Sequence, residues 1–188
     1  LTRSRYALLT GDVDEAEKLC RRHVDSDPED SAGSLLLGSI YLKIGKLQSA
    51  QKIFETLVEE EPGNAEAWVN LALVYRKRGQ LKTALSAAQK AYGLSKDRGD
   101  IIFNIGNIYK QLGELKKAEQ IFRLSIDTDP EFIQSYNNLA LLLQEGGRED
   151  EAERILKQGL AADENNPALH FNLANIYKRR NMKDAAVK

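Results

Sequence analysis

An all-helical array of helix pairs is the fold class that this sequence predicts, and three observations predict it. Alanines recur at intervals of 34 residues, and glycines recur at the same interval in a second phase. Apolar residues between them follow the three-and-four spacing of a helix that buries one face. Prolines stand a fixed distance before the next such segment and disfavour helix at the preceding residue. The repeated residues are Ala16, Ala50, Ala84, Ala118, Ala152 and Ala186, then Gly11, Gly45, Gly79, Gly113 and Gly147, then Pro28, Pro62 and Pro130.

Each repeat is expected to hold two helices. With repeat position 1 placed at Ser31, the first helix is predicted over positions 1–14 and the second over positions 17–30. Gly79 predicts the end of a first helix, because glycine adopts the left-handed backbone of such ends without a Cβ clash. Asn181 stands in the sixth glycine place and predicts a helix end there too. The clearest helical face is formed by Trp68, Leu71, Ala72 and Tyr75.

The chain is predicted to be a single array over residues 1–188 and a fragment of a longer chain. Complete repeats are expected over residues 31–64, 65–98, 99–132 and 133–166, between partial repeats over 1–30 and 167–188. The small residue at position 8, such as Gly106, is expected to face the alanine at position 20, such as Ala118, so that the two helices approach closely. Thin second-helix packing predicts a flexible junction near Ser95–Asp100.

Composition and motifs exclude several function classes. Lys+Arg 27 against Asp+Glu 28 gives a formal net charge of -1, so no overall attraction to nucleic acid is expected. The sequence has no long apolar run, which excludes a membrane span, and its single Cys20 is expected to be a buried apolar residue. No catalytic motif is found, and the two histidines, His23 and His170, stand in different repeats. We therefore expect no enzyme, no cofactor and no metal.

The pattern of Trp68, Leu71, Ala72, Tyr75 and Ala84, with proline at position 32, resembles the tetratricopeptide repeat family. About six repeats in one phase carry the resemblance over the whole chain. Leu143 departs from the tyrosine of the pattern, and Lys96 and Glu164 depart from its proline. The resemblance implies a right-handed α-solenoid, in which first helices line the concave face and second helices form the outer one.

The candidate binding site is the first-helix face opposite the packing stripe. An asparagine recurs at position 6, and a side-chain amide can hydrogen-bond the main chain of an extended peptide whatever its sequence. This ladder resembles the one in O-linked N-acetylglucosamine transferases. Apolar and basic residues accompany it, and the alternative is that the asparagines only join neighbouring repeats. The candidate residues are Asn70, Asn104, Asn138, Asn172, Leu73, Phe103, Asn107, Leu141, Phe171, Asn175, Arg76, Lys77 and Lys110.

The predicted function is a scaffold that binds a peptide segment of another protein in this groove. The basic residues at positions 12 and 13 would favour an acidic partner segment, or would only complement the negative ends of their helices. Two alternatives stay open: the substrate-recognition part of a larger enzyme such as a glycosyltransferase, and a homo-oligomer that assembles through uncapped ends. The expected location is the cytoplasm.

Overall fold

The computed structural model describes residues 1–186, with side chains described through Asn181. Val187, Lys188 and the side chain of Ala186 therefore lie outside the described residues. Within them the chain forms eleven α-helices and no strand, which confirms the predicted all-α class. The helices are Thr2–Leu9 (α1), Val13–Ser26 (α2), Ser31–Lys43 (α3), Leu47–Glu60 (α4), Ala65–Lys77 (α5), Leu81–Leu94 (α6), Gly99–Gln111 (α7), Leu115–Thr128 (α8), Ile133–Glu145 (α9), Glu149–Ala162 (α10) and Pro167–Ala186 (α11).

Local chemistry accounts for where these helices begin and end. The five repeated glycines all have positive φ values, between 75° and 83°, directly after or near the end of a first helix. At the other end, Asn64 Oδ1 accepts the Ala67 N–H at 3.0 Å, which satisfies one of the unpaired donors that open α5. Asp30 and Asn166 cap α3 and α11 in the same way. The glycine stops and the side-chain caps are thus confirmed.

Asn181 does not end a helix, and that prediction was wrong. Helix α11 runs from Pro167 to Ala186 and passes through Asn181 without interruption. Among the described residues, only glycines have a positive φ. A residue with a Cβ loses roughly 1–2 kcal/mol in the left-handed conformation, so Asn181 keeps helical geometry where glycine would leave it.

The chain divides into two compact units, which we call the N-terminal segment (Leu1–Lys96) and the C-terminal segment (Asp97–Lys188). The boundary falls inside the junction Ser95–Asp100; its flexibility stays a prediction. Each segment has its own apolar core. Phe54 and Leu57 are buried in the first, and Phe122, Leu139 and Leu156 are fully buried in the second.

Where position 8 is glycine, the aromatic ring at position 24 lies close to it. A Cβ built on Gly38 would lie 2.7 Å from the Phe54 ring, and one built on Gly106 would lie 2.6 Å from the Phe122 ring. In these two repeats the atoms nearest to a Cβ at position 8 are those of the aromatic ring at position 24, and the facing of position 8 and the alanine at position 20 stays a prediction. Ala118 is nonetheless fully buried at position 20.

Glu153 on α10 accepts from three donors, two of which lie on α11. Its carboxylate accepts from Lys157 Nζ at 2.7 Å, from Tyr177 Oη at 3.0 Å and from Arg180. The hydrogen bond from Lys157, opposed by burial and reinforced by Arg180 and Tyr177, lowers the pKa of Glu153 to about 2. A carboxylate whose pKa is lower in the folded state than in the unfolded state stabilises the fold above the unfolded pKa.

Glu153→Gln is expected to lower the melting temperature at neutral pH and to change it little in acid. The stabilisation by ionised Glu153 should disappear as the pH falls from about 4.5 to about 2, the interval between its ordinary and folded pKa. Melts followed by circular dichroism at several pH values would measure the difference between wild type and variant. Asp127→Asn, on the exposed side of α8, is the control. A difference that persists unchanged at the lowest pH would contradict this assignment.

Candidate functional site

Asparagine side chains join neighbouring first helices in the C-terminal segment. Asn138 Nδ2 on α9 donates to Asn107 Oδ1 on α7 at 2.7 Å. One repeat further on, Asn172 Nδ2 on α11 donates to Asn137 Oδ1 on α9 at 2.5 Å. Two members of the predicted ladder therefore bridge repeats, as the structural alternative for the ladder requires.

These bridges leave most of each amide's hydrogen-bonding capacity uncommitted. A carboxamide carries two N–H donors and one carbonyl acceptor. Within the described residues, each bridge leaves the NH2 group of one partner (Asn107 or Asn137) and the carbonyl oxygen of the other (Asn138 or Asn172) without a protein hydrogen bond. An NH2 donor beside a carbonyl acceptor is the complement of a peptide group. Bridging repeats and binding a peptide main chain are thus chemically compatible.

The other two ladder asparagines behave differently. Asn70 Nδ2 on α5 donates to the carbonyl oxygen of Glu66 in its own helix at 3.0 Å, a bond inside one turn. Asn104 on α7 is half-buried and makes no side-chain hydrogen bond to any residue that the structure describes. Asn104 is therefore the ladder member with its full amide available to a ligand.

A depression of about 460 Å³ lies beside the bridged asparagines, entirely within the C-terminal segment. Helices α9 and α11, the turns that precede them, and one aromatic side chain of α7 form its wall. It contains two of the predicted residues, Phe103 and Asn138. The lining residues are Phe103, Glu131, Ile133, Gln134, Asn137, Asn138, Asp163, Asn166 and Ala168.

The predicted apolar residues differ in exposure. Phe103 is half-buried, and its ring lies 5.2 Å from the Phe132 ring and 5.8 Å from the Phe122 ring, so its position is fixed by the core. Leu73 and Leu141 are also half-buried, and Asn175 lies half-buried on α11. Phe171, by contrast, is 67% exposed. Phe103 is the only one of them that lines the depression.

The predicted basic edge is partly neutralised by the chain itself. Lys110 Nζ lies 3.0 Å from Glu145 Oε1, one repeat further along. Arg76 is half-buried, and burial lowers its pKa. Lys77 is exposed. In the C-terminal segment the Lys110–Glu145 pair therefore reduces the attraction for an acidic ligand.

One group of side chains could hold a metal ion. The ligand atoms of His23, Asp27 and Asp30 lie within 4.8 Å of one another in the N-terminal segment. Asp30 is already used for structure: Oδ1 accepts the Ala32 N–H at 3.0 Å, and Oδ2 lies 2.6 Å from His23 Nε2. A Cβ on Gly33 would meet the His23 ring at 2.9 Å, so this histidine also fills space between helices. Helix capping and packing account for the group.

Several lining residues were missed from the sequence. Gln134 stands at position 2, which shares a helical face with positions 5, 6 and 9, so the spacing alone could have identified it. Glu131 and Asp163 lie in turns before α9 and α11, and Asn166 is the cap of α11. Turn residues carry no helical periodicity, and no signal in one sequence marks them as neighbours of Phe103.

Comparison with known proteins decides the family. Three sequence profiles of the tetratricopeptide repeat family match residues 35–101, 75–143 and 132–162, which together cover more than half of the chain. The chain belongs to the tetratricopeptide repeat family. None of the curated proteins matches its sequence.

Solved structures share this tetratricopeptide repeat fold. TTC0263, a thermophilic TPR protein of Thermus thermophilus, has a TM-score of 0.79 and 24% identity, covering 94% of this chain and 96% of that one. A crystal structure of MamA has a TM-score of 0.72 and 27% identity, covering 86% and 94%. YrrB, described as a TPR protein with an unusual peptide-binding site, has a TM-score of 0.64 and 17% identity, covering 89% and 87%. No helix among the described residues is long and apolar enough to cross a membrane.

Proposed function

We propose that this tetratricopeptide repeat protein is a non-enzymatic interaction module that binds an extended peptide segment of another protein along its first helices. The observation that carries the proposal is the set of asparagine amides with unused hydrogen-bonding groups on the first helices of the C-terminal segment. Asn104 is half-buried without a hydrogen bond to the described residues, and both asparagine bridges keep a free donor and a free acceptor. The peptide-binding site of the similar structure YrrB supports the same use of the fold.

The geometry supports main-chain recognition. A peptide group needs one donor and one acceptor, and an amide left unpaired in a half-buried position loses hydrogen bonds to water without replacement. A bound peptide supplies those partners, because its own N–H and C=O groups repeat along the chain. Phe103 and the half-buried Leu141 would add contacts to particular peptide side chains, and so give selectivity that amides alone do not provide.

Exposed apolar side chains on α1 support self-assembly as a second candidate function. Tyr6 and Leu9 on α1 are 69% and 86% exposed. Apolar side chains of this size on one short helix are suited to contact another protein surface, such as that of a second copy.

An acidic partner segment remains part of the proposal for the N-terminal segment. Arg76 and Lys77 there have no ion pair with a described residue, so their charges are available to such a partner.

Asn104→Ala is expected to weaken binding of a selected peptide roughly three- to tenfold while leaving the helix content unchanged. Dodecapeptides selected from a random library against the full chain are the probe, and isothermal titration calorimetry measures their affinity. The loss follows because Asn104 has no hydrogen bond to the described residues, so its removal deletes contacts to the ligand only.

Gln120→Ala is the matched control, because it removes an exposed amide from the outer helix α8. It should leave peptide affinity unchanged. Asn138→Ala also breaks the bridge to Asn107. Hydrogen exchange of the α7 and α9 amides is therefore measured as well, to distinguish lost peptide contacts from a loosened pair of helices. Selected peptides whose affinity survives both Asn104→Ala and Asn138→Ala would disprove main-chain recognition by the ladder.

A further inference from the structure

The depression of the C-terminal segment has an unbalanced charge. Its lining contains the two carboxylates of Glu131 and Asp163 and no lysine or arginine. Neither carboxylate has an ion pair with a described residue. Four other carboxylates of the segment do have basic partners: Glu119 with Arg148, Glu145 with Lys110, Glu151 with Arg148 and Glu153 with Lys157.

Turn chemistry explains only part of this acidity. Asp163 Oδ2 accepts from Asn166 Nδ2 at 2.9 Å, which orients the cap of α11 and leaves Oδ1 uncommitted. An asparagine at the same place could serve that hydrogen bond equally well. Glu131 precedes α9, whose positive end favours an anion, but Asp163 is the C-cap of α10, where a negative charge is unfavourable. The hydrogen bond to Asn166 therefore does not by itself require a charge at Asp163.

The apolar part of the lining indicates which kind of cationic group fits the depression. Phe103, Ile133 and Ala168 line the depression beside the carboxylates. Long basic side chains bury their methylene stems against apolar surface and keep the charged group at a polar edge. Arginine adds stacking on an aromatic ring and five N–H donors that match carboxylate and amide oxygens. A volume of about 460 Å³ is sufficient for such a side chain together with adjoining main chain.

We infer that this depression binds an arginine side chain of the partner peptide, with its stem against Phe103 and its guanidinium between Glu131 and Asp163. The inference rests on the proposed function and adds that the bound peptide has a positively charged side chain at this place. The Lys110–Glu145 pair agrees with it, because the basic edge of this segment is partly neutralised while the acidic depression is not. A peptide docked here would thus carry a positive charge, in contrast to the acidic partner that the sequence predicts.

The test uses small probes on the isotopically labelled full chain. N-acetyl-arginine methylamide, its norleucine counterpart and its glutamate counterpart are titrated separately, and NMR shift changes are followed at Phe103, Ile133 and the side-chain amides of Asn137, Asn138 and Asn166. Only the arginine probe is expected to give saturable shifts at these groups. The double variant E131Q/D163N keeps both side-chain shapes and should weaken that binding about fivefold.

A second double variant, E114Q/D127N, is the control. It removes the same number of negative charges as E131Q/D163N, but at the N-cap and on the exposed side of the outer helix α8, and it should leave the affinity for the arginine probe unchanged. Equal binding of the norleucine probe, stronger binding of the glutamate probe, absence of shifts at the depression, or indifference to E131Q/D163N would each overturn the inference. If selected peptides still depend on Asn104 in those cases, only the arginine site fails. If the arginine probe binds but no selected peptide depends on Asn104, only the proposed function fails.

Discussion

Replacing Gly106 by alanine is expected to lower the free energy of unfolding of the α7–α8 hairpin by about 1–3 kcal/mol. The added Cβ would lie 2.6 Å from the Phe122 ring, which is fully buried and has no room to turn away. In an open helix the same change would stabilise by roughly 0.5–1 kcal/mol, because alanine has less backbone freedom to lose than glycine. The clash therefore reverses the sign of the ordinary effect.

Phe122→Leu should rescue Gly106→Ala. The next repeat already has alanine at position 8 and leucine at position 24: Ala140 and Leu156 are both fully buried. Phe122→Leu alone leaves a space beside Gly106, and Gly106→Ala partly fills it, so the double variant should be more stable than the sum of the two single changes predicts. Hydrogen exchange of the α7 and α8 amides in the full chain measures this region by itself.

Gly93→Ala is the control for helix propensity. A Cβ on Gly93 in α6 would have no atom within 4 Å, so this substitution should be neutral or stabilising. A Gly106→Ala variant that gains stability as Gly93→Ala does, or a double variant no better than the sum, would show that the ring at position 24 tolerates a methyl group. The close contact would then be no constraint on the sequence.

The helices could be predicted from the sequence because their ends depend on local chemistry. Gly79 ends α5 through its own backbone conformation, and Asn64 begins α5 through a bond to a residue three places away. The partner of Gly106 could not be predicted in this way, since it depends on which ring fills the space between two helices. Asn181 shows the limit of a register argument: position fixes where a residue stands, but only glycine makes the left-handed turn without strain.

The candidate site was less predictable because identical residues have different neighbours. Asn138 meets Asn107 at position 9, Asn172 meets Asn137 at position 5, and Asn70 meets only its own helix. The charge of Lys110 is likewise reduced by Glu145, 35 residues further along the chain. His170 illustrates the same point: it stands at the position of Trp68 and is exposed where Trp68 is half-buried, although a ring nitrogen of each lies within hydrogen-bonding distance of a carbonyl oxygen in the preceding turn.

Ser125→Ala is expected to destabilise the C-terminal segment by about 1–3 kcal/mol, more than the loss of one small oxygen suggests. Ser125 and Ser135 are fully buried, and their Oγ atoms lie 2.6 Å apart. Ser125 donates its only proton to the Gly99 carbonyl oxygen at 2.7 Å, so the proton between the two serines must come from Ser135. Removing Ser125 therefore leaves the Ser135 hydroxyl buried without an acceptor.

Adding Ser135→Ala to Ser125→Ala should recover part of this loss, because a missing pair of polar groups costs less than one unpaired group. The following repeat supplies the precedent: positions 27 and 3 there are Gly159 and Leu169, an apolar contact in which a glycine Cβ would lie 2.8 Å from a leucine methyl. Chemical denaturation of the full chain, with hydrogen exchange of α8 and α9, measures the four species of the cycle. A double variant as unstable as the sum of its parts would mean that Ser135 finds another acceptor, and that the buried hydroxyl pair is two independent contacts. A double variant more stable than Ser125→Ala would mean that the pair acts as one polar unit, which other repeats replace by shape alone.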